Sequence, residues 1–293
     1  MLTIHQWRWG IEQWVEFLKD KEIPVLSRTR ILVQVLREKG DAAQEALAAR
    51  ELLGIVYSDP YLSLKLLRRA ERQRSRRLGQ ETTTALAAVM HAGVAEIIAL
   101  VDGSPCADDA LPGANDCEFR VVMAASIARG WARLRTDVSP EEVALAALLS
   151  ETGELLLWHF APELTLKAEE ELTSGRAFRA LKAQQQAVGF SFRQMTLALV
   201  QRWELPAIIA LLIKGTDTPR ANIARLAIDT AGHIVADACH PSIPADLVNI
   251  RNIIPAASYA SLAAALPIAE DYRLRVLAAV MAGTDSTSNR DRR

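Results

Sequence analysis

Apolar residues recur along this chain at three- and four-residue steps, and no stretch alternates apolar with polar one by one. That period places side chains on one face of an α-helix and excludes half-buried strands, so the spacing predicts an all-α fold. Half of the 293 residues are hydrophobic and 24% are charged, enough apolar area to bury a sizeable core. At roughly 100–200 residues per domain, the length predicts one large domain or two lobes. A formal net charge of −1 gives no general pull towards nucleic acid or membrane surfaces, so neither is expected as a partner. Cys106, Cys117 and Cys239 are odd in number and have no metal-site spacing, which points to a reducing, cytoplasmic setting. No basic start leads into an apolar signal region, and no uninterrupted apolar run reaches the ~18–20 residues of a membrane span.

Taken in order, residues 1–22 read as an amphipathic helix with Ile4, Trp7, Ile11, Val15 and Leu18 on one stripe. Trp7, Trp9 and Trp14 crowd that span, and Pro24 ends it. An N-terminal helical lobe follows over 23–101. Its helices carry Ile31, Leu32, Val35 and Leu36, then Leu47, Leu52, Leu53 and Val56. Asp59 caps the next helix with Pro60 in its first turn. Leu86, Val89, Met90, Ile97 and Ile98 form one face of a helix over 84–101, with His91 as a packing residue beside it. Gly, Pro, Ser, Asn and Asp mark 102–116 as the linker between lobes. The second lobe is expected over 117–282, with its own helix start at Ser139-Pro140-Glu141-Glu142. The polar run 283–293 reads as a disordered tail.

Within the second lobe, two apolar runs flank a polar step at Ser150-Glu151-Thr152-Gly153. This stretch resembles the segment of HD-family phosphohydrolases in which a His-Asp pair binds a catalytic metal. Further matches are the Pro24 break, the helix opened by Asp59-Pro60, and Arg202-Trp203-Glu204-Leu205-Pro206, which corresponds to the family's Arg-Trp-Gly-Leu-Pro. Over roughly residues 20–230 the chain is similar to the HDOD family, the HD-related output domains that have lost the metal ligands.

The resemblance implies a two-lobed helical bundle whose second lobe is a degenerate HD-like one. The positions that hold metal in HD enzymes here read Val121, Ser150, Glu151 and Phe192, and Lys214-Gly215 stands where a His-His pair would be. A Ser hydroxyl is a poor metal donor beside an imidazole, and a catalytic metal needs about three protein ligands. No cofactor, no metal and no catalytic residue are therefore expected. The implied function is a non-enzymatic signal-transduction output module in bacterial regulation, acting through contacts with signalling proteins or a second copy of itself. The alternatives are a residual metal-dependent phosphohydrolase and a nucleotide sensor using the old cavity.

Two stretches are candidate interaction surfaces. Trp9 and Trp14 supply aromatic area, which is frequent at interface hot spots. The arginine run containing Arg68, Arg69, Arg72 and Arg76 replaces the family's Ala-Asn-Ser-Ala and binds oxyanions readily in principle. The bland alternatives are core packing for the indoles and a solvated helix end for the arginines. A competing metal reading places His233, Asp237 and His240 at i, i+4 and i+7 on one helix face. Trp203, flanked by Leu199, Val200 and Leu205, is expected to be a core anchor. No Gly-rich nucleotide loop and no Gly-x-Ser-x-Gly elbow are present.

Overall fold

A computed structural model describes residues 2–38, 45–77, 81–108 and 110–288, and no strand occurs among them. A 3-10 turn at Gln6–Arg8 precedes α1 (Ile11–Leu18), α2 (Ser27–Glu38), α3 (Glu45–Ser58), α4 (Pro60–Arg77), α5 (Ala85–Ala92), α6 (Val94–Asp102) and α7 (Pro112–Ala132). Then come α8 (Pro140–Leu148), α9 (Thr152–Phe160), α10 (Pro162–Thr173), α11 (Ala180–Val188), α12 (Phe192–Arg202) and α13 (Ala207–Lys214). The chain closes with α14 (Pro219–Ala236), α15 (Ile243–Ile253), α16 (Tyr259–Ala264) and α17 (Glu270–Ser288). The fold is all-α.

The helices form two compact units, and these cut the chain differently from the expected linker at 102–116. One unit is Met1–Glu118 with Leu149–Ala210; the other is Phe119–Leu148 with Leu211–Arg293. The polar stretch taken as a lobe boundary lies inside the first unit because its backbone is tied down there. Val25 donates to the Pro105 carbonyl and accepts from the Ala107 amide, each at 2.9 Å, forming an isolated parallel bridge with Cys106. The Pro24 break and the later polar loop thus satisfy each other's backbone groups, as buried backbone requires.

In the first unit, Asp59 joins two helices. Its Oδ1 accepts from the Leu62 amide at 2.9 Å, the expected N-cap of α4. Its Oδ2 accepts from the Leu26 amide at 2.9 Å and the Thr29 hydroxyl at 2.7 Å, at the start of α2. Burial pushes this carboxyl above its ordinary range, and the donors from Leu26, Leu62 and Thr29 oppose that shift without cancelling it.

Several expected helices are shorter or turned. Gly10, with ψ at −176°, breaks the first one, so Trp14, Val15 and Leu18 face the core while Ile4 and Trp7 do not. Gly93 takes φ +78°, a conformation that a Cβ disfavours, and bends α5 against α6 by 93°. The buried face there is Ala85, Ala88, Val89, Ile97 and Val101; Leu86, Met90 and His91 are exposed, contrary to the sequence reading. On α2 the buried residues are Thr29, Val33 and Leu36, and Ile31, Leu32 and Val35 face outward.

The second unit has a continuous apolar cluster contributed by α7, α8 and α14–α17, from Met123 to Val280. Trp131 is fully buried in it and donates Nε1–H to the Leu262 carbonyl at 3.0 Å. Residues 283–288, expected as tail, continue α17, and 289–293 lie outside the described residues. Among the described residues, Pro140–Phe160 is apolar and long enough to cross a membrane, yet 78% of its apolar window is buried within the protein.

Candidate functional site

At the polar step, α8 ends at Leu148 and α9 begins at Thr152. The Thr152 hydroxyl donates to the Leu149 carbonyl at 2.8 Å, and the Glu151 carbonyl accepts from the Leu155 amide at 2.9 Å. Gly153 is the point of contact between α9 and α12. Its amide donates to Thr196 Oγ1 at 2.9 Å, and a Cβ there would sit 2.5 Å from the Phe192 carbonyl oxygen and 2.7 Å from the Thr196 nitrogen. A glycine is needed because two helix backbones meet. Ser191 Oγ accepts from the Gln194 amide at 3.1 Å and caps α12; Gln194 returns the bond by accepting from the Ser191 amide at 2.8 Å.

The residues that the resemblance assigns to the HD ligand positions offer few donor atoms. Val121 and Phe192 are apolar and buried, Ser150 is buried, and Gly215 has no side chain. What the fold does bring together was not visible in sequence. Cys117, Glu151 and Glu154 offer ligand atoms that all lie within 4.8 Å of one another. The Cys117 thiol donates to Glu151 Oε2 at 3.4 Å. Glu118 is buried beside them, and the Tyr61 hydroxyl donates to the Leu155 carbonyl at 3.5 Å. Burial, followed by the neighbouring Glu118 and Cys117, holds the Tyr61 phenol well above its usual range. Cys117 lies 34 residues before Glu151, a separation with no motif to announce it.

The His233, Asp237 and His240 reading is corrected by the backbone. α14 stops at Ala236, and Asp237 is extended with φ −163°, so the three do not share a helix face. His233 Nδ1 pairs with Asp246 Oδ2 at 2.7 Å. Asp237 accepts from the Cys239 amide at 2.8 Å, and His240 Nδ1 accepts from the Ser242 amide at 3.2 Å. The two imidazoles stack with their centroids 4.6 Å apart. No sequence signal pointed to Asp246 as the partner of His233.

The two candidate surfaces separate just as sharply. Trp14 is only 1% exposed and belongs to the core. Trp9 is half-buried, packed edge-on against Trp14 at 4.9 Å and tilted against Phe17 at 5.7 Å. The more open indole is Trp7, 41% exposed, with the Lys167 ammonium 5.2 Å from its ring. On α4, Arg68 lies with its guanidinium 4.2 Å over the Trp203 ring and donates to the Lys19 carbonyl at 2.9 Å. Trp203 itself is buried and donates to the same carbonyl at 3.0 Å, the core placement expected of it. Arg69 pairs with Glu96, and Arg72 is exposed. The Arg76 side chain lies outside the described residues.

Among the described residues this architecture is helical throughout, with the Ser150–Gly153 step between α8 and α9. The HDOD domain profile matches residues 32–219, and the chain belongs to that family. Solved structures with the same fold include a virulence factor from Campylobacter jejuni subsp. jejuni, at 18% identity and TM-score 0.68, covering 88% of this chain and 98% of that one. The MmoQ response regulator from Methylococcus capsulatus str. Bath is also similar, at 18% identity and TM-score 0.61, covering 80% of this chain and 99% of that one. No curated protein matches the chain.

Proposed function

We propose that the chain is a non-enzymatic signalling output module that acts in the cytoplasm through protein–protein contacts. One observation carries the reading: the step where HD enzymes hold a metal is occupied by helix packing. Gly153 abuts the Phe192 carbonyl, and Ser191 is spent on a helix cap. Family membership and the similarity to a response regulator support a place in signal transduction. A module without chemistry acts by presenting a surface, and the half-open Trp7 and Trp9 at the N-terminus offer aromatic area for a signalling partner or a second copy.

A second reading has a specific observation behind it. A thiolate and two carboxylates converging at Cys117, Glu151 and Glu154 make a donor set that suits a zinc-like ion, and a metal there would reopen hydrolysis. Elemental analysis of the purified chain beside a phosphodiesterase assay separates the two. The expected outcome is no turnover with added Mn2+, Mg2+ or Zn2+ and no stoichiometric metal. About one metal per chain, with activity lost on Glu151→Ala and Cys117→Ala, would overturn the non-enzymatic reading. A pull-down that compares Trp7→Ala and Trp9→Ala with the parent chain tests the surface; unchanged binding by both removes the N-terminal indoles from it.

A further inference from the structure

The face of α4 that carries the arginines is concave. It closes with residues 20–23 and Leu100 around a cleft of about 380 Å³, the size of sites that hold small organic ligands. Five cations, Lys21, Lys65, Arg68, Arg69 and Arg72, face it, against two carboxylates, Asp20 and Glu22.

The ion pairs are unevenly shared. Lys65 is buried and saturated: it pairs with Glu22 and donates to the Ile23 carbonyl at 2.7 Å and the Ser104 hydroxyl at 2.6 Å. Arg69 pairs with Glu96, and Asp20 lies 3.7 Å from Lys19. Among the described residues, Lys21, Arg68 and Arg72 have no carboxylate within ion-pair distance, and Lys21 rests its ammonium over the Phe17 ring at 4.1 Å. Arg68 Nε is shut away from solvent and has no hydrogen-bond partner. A buried donor without an acceptor is costly, and this cost comes with packing the Arg68 guanidinium over Trp203. Burial first and Arg72 second lower the Arg68 guanidinium to about 10. Arg68 and Arg72 stand four residues apart on one helix face, where like charges repel.

We propose that this cleft binds a small phosphorylated molecule, with Arg68 and Arg72 on the phosphate oxygens and Lys21 at the rim. Guanidinium forks match the spacing of phosphate oxygens, and three cations without carboxylate partners suit a multiply charged anion better than a single carboxylate. Asp20 and Glu22, the latter paired with Lys65, line the same cleft and offer acceptors for hydroxyl or amino groups on the rest of the ligand. The size of the cleft suits a metabolite better than a polymer.

The test is calorimetric titration of the full chain with inorganic pyrophosphate at fixed ionic strength, beside a short single-stranded oligonucleotide. The proposal expects saturable pyrophosphate binding, weakened about tenfold by Arg72→Gln, because a charge-assisted bidentate contact contributes on that scale. Arg72 is exposed, so this variant is expected to melt like the parent. Arg68→Lys keeps the charge and loses the fork, and is expected to bind more weakly as well. Absence of saturable binding, or equal affinity in Arg72→Gln, overturns the proposal. Binding of the oligonucleotide without pyrophosphate binding also overturns it, in favour of a nucleic-acid surface.

Discussion

Two regions of the first compact unit have opposite histories. At the polar step around Gly153 two helix backbones meet and satisfy each other's polar groups. At the cleft along α4 the sequence abandons the family pattern, and the structure leaves cations and a buried donor unsatisfied. The difference teaches that a tightly packed step satisfies its own polar groups, while a cleft between helices leaves charged groups for a ligand to meet. Small and apolar replacements let two helices close on each other.

The largest expected effect lies under the cleft. Trp203 is both a buried ring and the surface on which Arg68 rests. Trp203→Ala should cost about 3–5 kcal/mol in denaturant unfolding. A parent-like midpoint would mean that the cleft has no rigid floor. Next comes the step: Gly153→Ala pushes a methyl into backbone atoms of α12 and should cost about 1–3 kcal/mol. If Gly153→Ala is neutral in the same assay, the step is looser than its contacts indicate and the contrast with the cleft weakens. Arg72→Gln should change stability by under about 0.5 kcal/mol, the usual range for an exposed substitution. A larger loss would make Arg72 a structural residue.

The smallest effect is in pH. Burial holds the His159 imidazole below its ordinary value of 6.5, with Asp108 opposing it, so the folded chain binds fewer protons there than the unfolded chain. Its contribution is fully present above pH 6.5 and is lost as pH falls through the window just below. A melting-temperature series from pH 7.5 to 5.5 should decline more steeply in the parent than in His159→Gln. Identical slopes would show that this ring is as wet as the cleft.

Much of the fold was legible without coordinates. Helical period gives the all-α class, Asp59-Pro60 gives the start of α4, and the Ser150–Gly153 step gives the break between α8 and α9. These features are local: a cap, a period or a glycine acts within a turn or two of its own position. The family was legible for the same reason, because Arg202-Trp203 and Leu205-Pro206 are contiguous.

Other features depend on which distant atoms meet. The Val25–Cys106 bridge turned an expected linker into part of a unit, and residues 149–210 of the expected HD-like lobe joined the N-terminal residues across the chain. The meeting of Cys117 with Glu151 and Glu154 spans 34 residues or more, and the pairing of His233 with Asp246 goes around the end of α14. Sequence placed arginines on α4 but could not say which would find a carboxylate. Local backbone preferences are written residue by residue. Burial, ion pairing and the closing of a cleft are set only when helices far apart in sequence pack, because solvent exclusion and Coulomb partners are properties of the assembled surface.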